Sequence, residues 1–231
     1  MCDMERRLEA NAEKPLRLDS SLCVYFGSGM DSTVGYLTNF AQTECAFEFR
    51  ERMWPSSEHA FQAHLRVHPD DHHHFAVGGK LSTLETGLQL VFKTGELDKK
   101  RKHYGPKKTG KPPMIGIVAK MAVNPEIAKK IGLKLISSSE SKHSIAEVSE
   151  TFFDLLKSKY GQCAEARRQL LATRGKHLVE FSRGAVREAK KGQLPLWTGQ
   201  IDEHGILRGH NLQGELHMKV RDVMADKEQS M

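Results

Sequence analysis

Apolar positions along this chain change their period several times, and each change marks an element. Leu22-Cys23-Val24-Tyr25-Phe26 is a short, nearly continuous apolar run before a Gly/Ser/Asp segment at 27–31, which predicts a strand and its loop. Cys45-Ala46-Phe47-Glu48-Phe49 alternates apolar with polar residues and predicts a second strand. The segment around Trp54 opens a helix running to about Val67. Helical spacing resumes over 114–122, and Asn124-Pro125 starts a further helix through Lys130 that Gly132 stops. Ile145, Val148, Phe152, Leu155, Leu156 and Tyr160 lie on one face of a long amphipathic helix. Residues 164–172 form a shorter helix with Arg167 and Arg168 outward, and Leu178-Val179-Glu180-Phe181 is a strand or its edge. Asn211 caps a last helix whose Leu212, Leu216, Val220, Val223 and Met224 share a face. Helices outnumber short strands, so the class is α+β, mostly helical with a small sheet. No internal repeat is visible.

Composition narrows the class. The chain has 231 residues, 39% hydrophobic and 28% charged, which fits one globular domain or one domain with an insertion. Residues 1–18 read as a polar leader, and 19–231 as the domain. The start lacks a secretory apolar region, and no apolar run approaches a membrane span. No membrane partner is expected, and the location expected is intracellular, cytoplasmic or nuclear. Cys2, Cys23, Cys45 and Cys163 are widely spaced and form no Cys-x-x-Cys pair, so reduced thiols are expected rather than a zinc site.

The formal net charge of +6 is unevenly spread. Lys99, Lys100, Arg101, Lys102, Lys107, Lys108 and Lys111 crowd a stretch that also holds Gly105, Pro106, Gly110 and Pro112. This is a loop, either merely solvated or able to hold phosphates or serve nuclear import. The run Asp70-Asp71-His72-His73-His74 invites a metal. Consecutive histidines point apart, however, and no helical pair supports them, so a solvated loop is expected, with no metal and no cofactor.

Trp54-Pro55-Ser56-Ser57-Glu58-His59-Ala60-Phe61-Gln62-Ala63 carries the most chemistry. Pro55 suits a first helical turn, and Ser56 or Ser57 can cap it. Glu58 then falls where the helix dipole favours its charged form. Gln62 follows on the same face, and Phe61 points to the core. A first-turn carboxylate often only stabilises its helix. Held beside an indole and an amide, it can also work on a polar ring-bearing substrate.

The segment resembles the signature of the NADAR family, the NAD- and ADP-ribose-associated proteins that include the YbiA-like N-glycosidases. Further elements resemble the family's in the same order. They are Leu37-Thr38-Asn39-Phe40, then Leu170-Leu171-Ala172-Thr173 with Leu178-Val179-Glu180, then Trp197-x-Gly199, then Gly209-His210-Asn211-Leu212-Gln213-Gly214, with Met218 and Arg221 last. The resemblance implies a YbiA-like single domain, with 68–113 as an insertion after the first core helix. It also implies cleavage of an N-glycosidic bond to ribose. Some members act on ribosylamino-pyrimidine intermediates of riboflavin synthesis, and others remove ADP-ribose from the exocyclic amine of guanine in DNA or RNA. The chain departs from the family at Leu65, where many members carry a lysine. It also has no second Trp near Ser144-Ile145, and it has Leu194 where an acidic residue is usual. With the basic loop, these departures turn the expectation toward ADP-ribose and ADP-ribosylated nucleic acid as partners.

Roles follow from that resemblance and from residue chemistry. Glu58 is the expected acid/base group or cation stabiliser. Lys120, a single charge in an apolar segment, is the candidate Schiff-base lysine or else a snorkelling side chain. Asn39 is expected on ribose hydroxyls, Phe40 and Trp54 as walls or core, and Gln62 in substrate binding on the helix face of Glu58. Glu180 and Arg183 form an ion pair or bind ribose and pyrophosphate. Trp197 can stack on a base, and the start of the last helix at Gly209 and Asn211 can receive a phosphate. A ribosylamino-pyrimidine N-glycosidase and a non-catalytic ADP-ribose or nucleic-acid reader are the alternatives.

Overall fold

The computed structural model of the chain describes residues 16–27, 32–41, 46–67, 69–82, 88–93, 114–119, 128–129, 131–132, 143–182 and 195–229. Its class is α+β. In place of one small sheet, the strands among the described residues form separate two-stranded pairs. The chain divides into two compact units, 42–144 and 1–41 with 145–231.

Unit 42–144 starts with an antiparallel hairpin of β2 (Phe47–Phe49) and β3 (Arg52–Trp54), in which Phe47 faces Trp54. Arg50 and Glu51 make its turn with φ of 49° and 63°. A two-residue turn with both φ positive matches the right-handed twist of the strands. Neither residue is the Asn or Gly usual there, so the turn carries no sequence signature. Trp54 therefore ends a strand, and the helix α1 (Ser57–Arg66) begins only after Pro55 and the capping residue Ser56. Pro55 precedes the cap instead of sitting in the first turn. Residues Pro69–His74 form a 3-10 helix with Asp71 and His72 buried, so the Asp/His run is more ordered than a solvated loop.

A second pair in this unit corrects the helical reading of 114–122. β4 (Leu88–Lys93) and β5 (Met114–Ala119) pair antiparallel, Leu88 opposite Ala119 and Lys93 opposite Met114. Met-Ile-Gly-Ile-Val-Ala is a continuous apolar run without a helical period of its own. Such runs are ambiguous, and β-branched Ile and Val with an internal Gly favour the extended form. The basic stretch at 99–111 lies outside the described residues. Of the helix expected at 124–130, residues 128–129 are described and are helical, as are 131–132.

Unit 1–41/145–231 is organised around one parallel pair. β1 (Cys23–Phe26) runs alongside β6 (His177–Glu180), with Phe26 opposite Glu180. The helices α2 (Ile145–Gln162), α3 (Ala164–Leu171) and α4 (Leu212–Gln229) pack on one another, and α4 packs on β6. Phe152, Leu155, Leu156, Tyr160, Leu170, Leu178, Leu212, Leu216 and Val220 are buried in this unit. Ile145 lies 37% exposed at the start of α2, outside the apolar face assigned to it. A two-stranded pair, β7 (Gln200–Ile201) and β8 (Leu207–Arg208), precedes α4. A 3-10 helix, Ser32–Leu37, precedes Thr38-Asn39-Phe40. Cys23 is a free thiol, whereas Cys163 is disulfide-bonded, against the expectation of reduced thiols. Spacing along a sequence does not report the Cα separation that permits a bridge. Among the described residues no helix is long and apolar enough to cross a membrane.

Candidate functional site

The first two turns of α1 are buried all round, from Ser57 through Ala63, so this helix carries polar groups into the interior. The Ser56 hydroxyl accepts from the His59 backbone N–H at 3.3 Å and lies 2.8 Å from His59 Nδ1. Glu58 is 4% exposed, and Gln62 Nε2 donates to its Oε1 at 2.7 Å, the i,i+4 contact expected of this spacing. Burial raises the Glu58 pKa above the ordinary carboxylate value, against weaker pulls downward from Lys129, Gln62 and Arg66. Loss of water thus outweighs these pulls, and the expectation of a favoured charged form is reversed. The group is suited to hold and deliver a proton. Gln62 Oε1 is buried without a hydrogen-bond partner, and a Cβ at Gly132 would run into it. Gly132 therefore sets the close approach that leaves room for this amide.

Trp54 does not present a free wall. Its indole is fully buried, its Nε1 donates to the Phe49 carbonyl at 2.8 Å, and its ring meets the edge of His64. An indole saturated in this way braces the hairpin behind the Ser56–Glu58 turn. His64 also packs against Phe49 and His72, and burial lowers its pKa to about 3. Burial likewise lowers His59 to about 4. Both rings are neutral at physiological pH.

In the other unit, the Gly-x-Asn-x-x-Gly element is a latch between α4 and β6 rather than a phosphate cradle. Asn211 sits at φ 50°, and its side-chain amide bonds the neighbouring strand β6. Its Nδ2 donates to the Leu178 carbonyl at 2.8 Å, and its Oδ1 accepts from the Glu180 N–H at 3.0 Å. A side chain on Gly214 would meet the Leu178 carbonyl and the Asn211 amide, so the close packing requires glycine there. The N–H groups that were expected to face a phosphate are occupied. His210, Asn211, Leu212 and Gln213 donate to the carbonyls of Pro195, Thr198, Leu196 and Trp197 at 2.9–3.1 Å. Gly209, at φ 93°, fits beneath the Thr198 carbonyl. Gly209 and Asn211 are thus structural. Trp197 is partly buried and edge-on to Phe152, not openly exposed. Glu180 is partly buried at the end of β6, where its carbonyl accepts from Gly199 N–H at 2.9 Å.

Asn39 lies 6% exposed, with Nδ2 donating to Gln213 Oε1 at 3.0 Å. Phe40 beside it is partly buried, its N–H on Thr38 Oγ1 at 3.2 Å. Two buried titratable side chains that belong to no motif, Lys159 and His217, bond the backbone of this segment. Lys159 is 1% exposed, and its Nζ donates to the carbonyls of Tyr36 at 2.6 Å and Thr38 at 3.2 Å. Burial lowers its pKa to about 7. His217 is fully buried, with Nδ1 2.7 Å from the Gln213 carbonyl and Nε2 2.9 Å from the Leu37 carbonyl. Burial lowers His217 to about 3. A signal for Lys159 existed: it falls on the helix face of Phe152, Leu155 and Leu156, where a lysine is out of place.

Lys120 and Arg183 lie outside the described residues. The helical setting that recommended Lys120 is replaced by β5, which ends at Ala119. Among the described residues no group of His, Cys, Asp and Glu has the arrangement of a metal site.

No protein-family model matches the chain, and no curated protein matches it. Among solved structures it is similar to the NMR structure of the E. coli protein YbiA, with a TM-score of 0.54 and 20% sequence identity over 95% of each chain. The fold is therefore YbiA-like.

Proposed function

We propose that this chain is a NADAR-type N-glycosidase that hydrolyses the bond between a ribose anomeric carbon and an exocyclic amine. ADP-ribosylated guanine in DNA or RNA is the proposed substrate. The observation that carries the proposal is Glu58, a buried carboxyl with a raised pKa, held by Gln62 on a capped helix. The YbiA-like fold and the ordered motif resemblance support it.

Glycosylamine hydrolysis needs a proton on the leaving nitrogen and negative charge near the anomeric carbon. A protonated Glu58 donates to the nitrogen as the C–N bond breaks. The resulting carboxylate faces the oxocarbenium-like centre and takes a proton from the attacking water. Water oxygen ends on the anomeric carbon and the amine leaves neutral, so Glu58 returns to its protonated form. This route needs no lysine.

The test is incubation with an oligonucleotide bearing ADP-ribose on guanine, in EDTA, with products read by mass. Release of ADP-ribose and intact guanine, lost in Glu58→Gln, is the expected result. Tight ADP-ribose binding without release would replace the proposal with a reader. Turnover confined to ribosylamino-pyrimidine phosphates would replace its substrate.

A further inference from the structure

Arg66 carries a charge that has no contact partner among the described residues. It lies two turns beyond Glu58 on α1, and Glu58, Gln62 and Arg66 stand four residues apart in succession, so they share one helix face. No carboxylate among the described residues forms an ion pair with Arg66. Its Nη1 is sealed from solvent and makes no hydrogen bond. Its Nε and Nη2 are also unbonded among the described residues, but they are not sealed, and the residue is partly exposed. The guanidinium fork is therefore open to solvent on one side.

The charge of Arg66 is felt at Glu58, and that of Glu58 at Arg66. A carboxyl kept protonated by burial, however, offers the guanidinium no counter-charge. Arginine cannot relieve the strain by giving up its proton, so its partly buried charge persists unpaired. Arg66 sits in the last turn of α1, where the helix dipole favours a cation. That field supplies no hydrogen bond to the fork. The chemistry that does is an oxyanion with two oxygens side by side, as in a phosphate. Eight residues of helix put Arg66 about 12 Å from Glu58 along the axis, and long helical side chains lean back toward the N-terminus. An ADP-ribose whose anomeric carbon meets Glu58 carries its diphosphate one sugar away from that carbon.

We infer that Arg66 binds the diphosphate of the substrate, anchoring it on the helix face that presents Glu58. This deepens the proposed function and rests on it. Arg183, expected on the pyrophosphate, lies outside the described residues, and Arg66 has no part in the roles assigned above.

The test uses the whole chain. The Arg66 Nε–H signal is followed by NMR as pyrophosphate, ribose, ADP-ribose or an unmodified oligonucleotide is added, and thermal melting is read with and without pyrophosphate. Pyrophosphate and ADP-ribose should move the signal, pyrophosphate should raise the melting temperature, and ribose should leave the signal in place. Arg66→Met removes the charge and keeps a long side chain. Without ligand it should melt at or above the wild-type temperature, because no pair is broken. It should bind ADP-ribose about tenfold to a hundredfold more weakly, the loss of a charge-assisted contact. Arg66→Lys keeps the charge without the fork and should bind with intermediate affinity. An Arg66 signal unmoved by both phosphate compounds, in protein that still releases ADP-ribose from the modified oligonucleotide, would overturn this inference alone. The same silence without turnover would overturn it together with the glycosidase reading. ADP-ribose affinity unchanged in Arg66→Met, or lost no more than that for the unmodified oligonucleotide, would also overturn it. So would a large drop in the melting temperature of ligand-free Arg66→Met, the mark of a structural pair.

Discussion

Lys159 sets two effects against each other. Its ammonium donates to two carbonyls and lies 5.4 Å from the Tyr160 ring centroid, contacts that favour the charge. Burial opposes the charge and prevails, bringing the pKa from 10.5 to about 7. In the unfolded chain the amine keeps its proton to a pH of about 10.4. Between those values the unfolded state binds more protons than the native state, so stability rises with pH. One proton corresponds to a slope of about 1.4 kcal/mol per pH unit, which amounts to about 2 kcal/mol from about pH 7.5 to about pH 9. Lys159→Met keeps a long side chain and removes the proton. At any one pH its stability mixes lost hydrogen bonds with relieved desolvation, so slopes are compared rather than single values. Urea unfolding of both proteins across this range, with m-values checked for constancy, measures the difference. The wild-type stability should climb relative to the variant by about 2 kcal/mol. Parallel pH profiles would show that the carbonyls hold the charge, and would refute the reasoning.

The Glu58 carboxyl has a raised pKa, so the native state loses stability as pH climbs above the ordinary carboxylate value. Glu58→Gln should therefore melt at or above the wild-type temperature at neutral pH, with the gap narrowing toward about pH 4.5; calorimetry at both values checks this. Gly132→Ala places a methyl against Gln62 Oε1 and should destabilise by about 1–3 kcal/mol. The same change in a Gln62→Ala background should be nearly harmless, and a double-mutant cycle by urea unfolding reads the difference. Arg221 Nη1 donates to the carbonyls of Thr173 and Lys176, both at 2.7 Å. Arg221→Met should cost about 3 kcal/mol and speed amide exchange in residues 172–176.

The elements with strong periods were legible. The helices α2, α3 and α4 lie where the apolar spacing put them, and the Glu58–Gln62 contact follows from helix geometry. The β2–β3 hairpin was missed because Arg50-Glu51 adopts a turn that normally announces itself with Asn-Gly. β5 was misread because a short apolar run has no period to distinguish strand from helix. The protonated tendency of Glu58 was invisible because sequence locates the helix end but not the depth of burial. Asn39 and Gln213 are paired across most of the chain, a contact no local pattern encodes. Asn211 illustrates the opposite error. Its position before a helix suggested a cap and an anion site, whereas its amide serves the neighbouring strand.

The parallel pairing of β1 with β6 also has a consequence in time. Residues 23–26 leave the ribosome well before 177–180 have been translated. At about 5–20 residues per second, the wait is on the order of ten seconds. Unit 42–144 is contiguous and can begin closing its hairpins during that interval, since their contacts are local. The amino-terminal strand has no such option, and an apolar segment with open backbone groups invites pairing with other nascent chains. Cys23–Phe26 is therefore the segment that a chaperone should be found holding when synthesis is paused before His177, and release should follow once β6 has emerged.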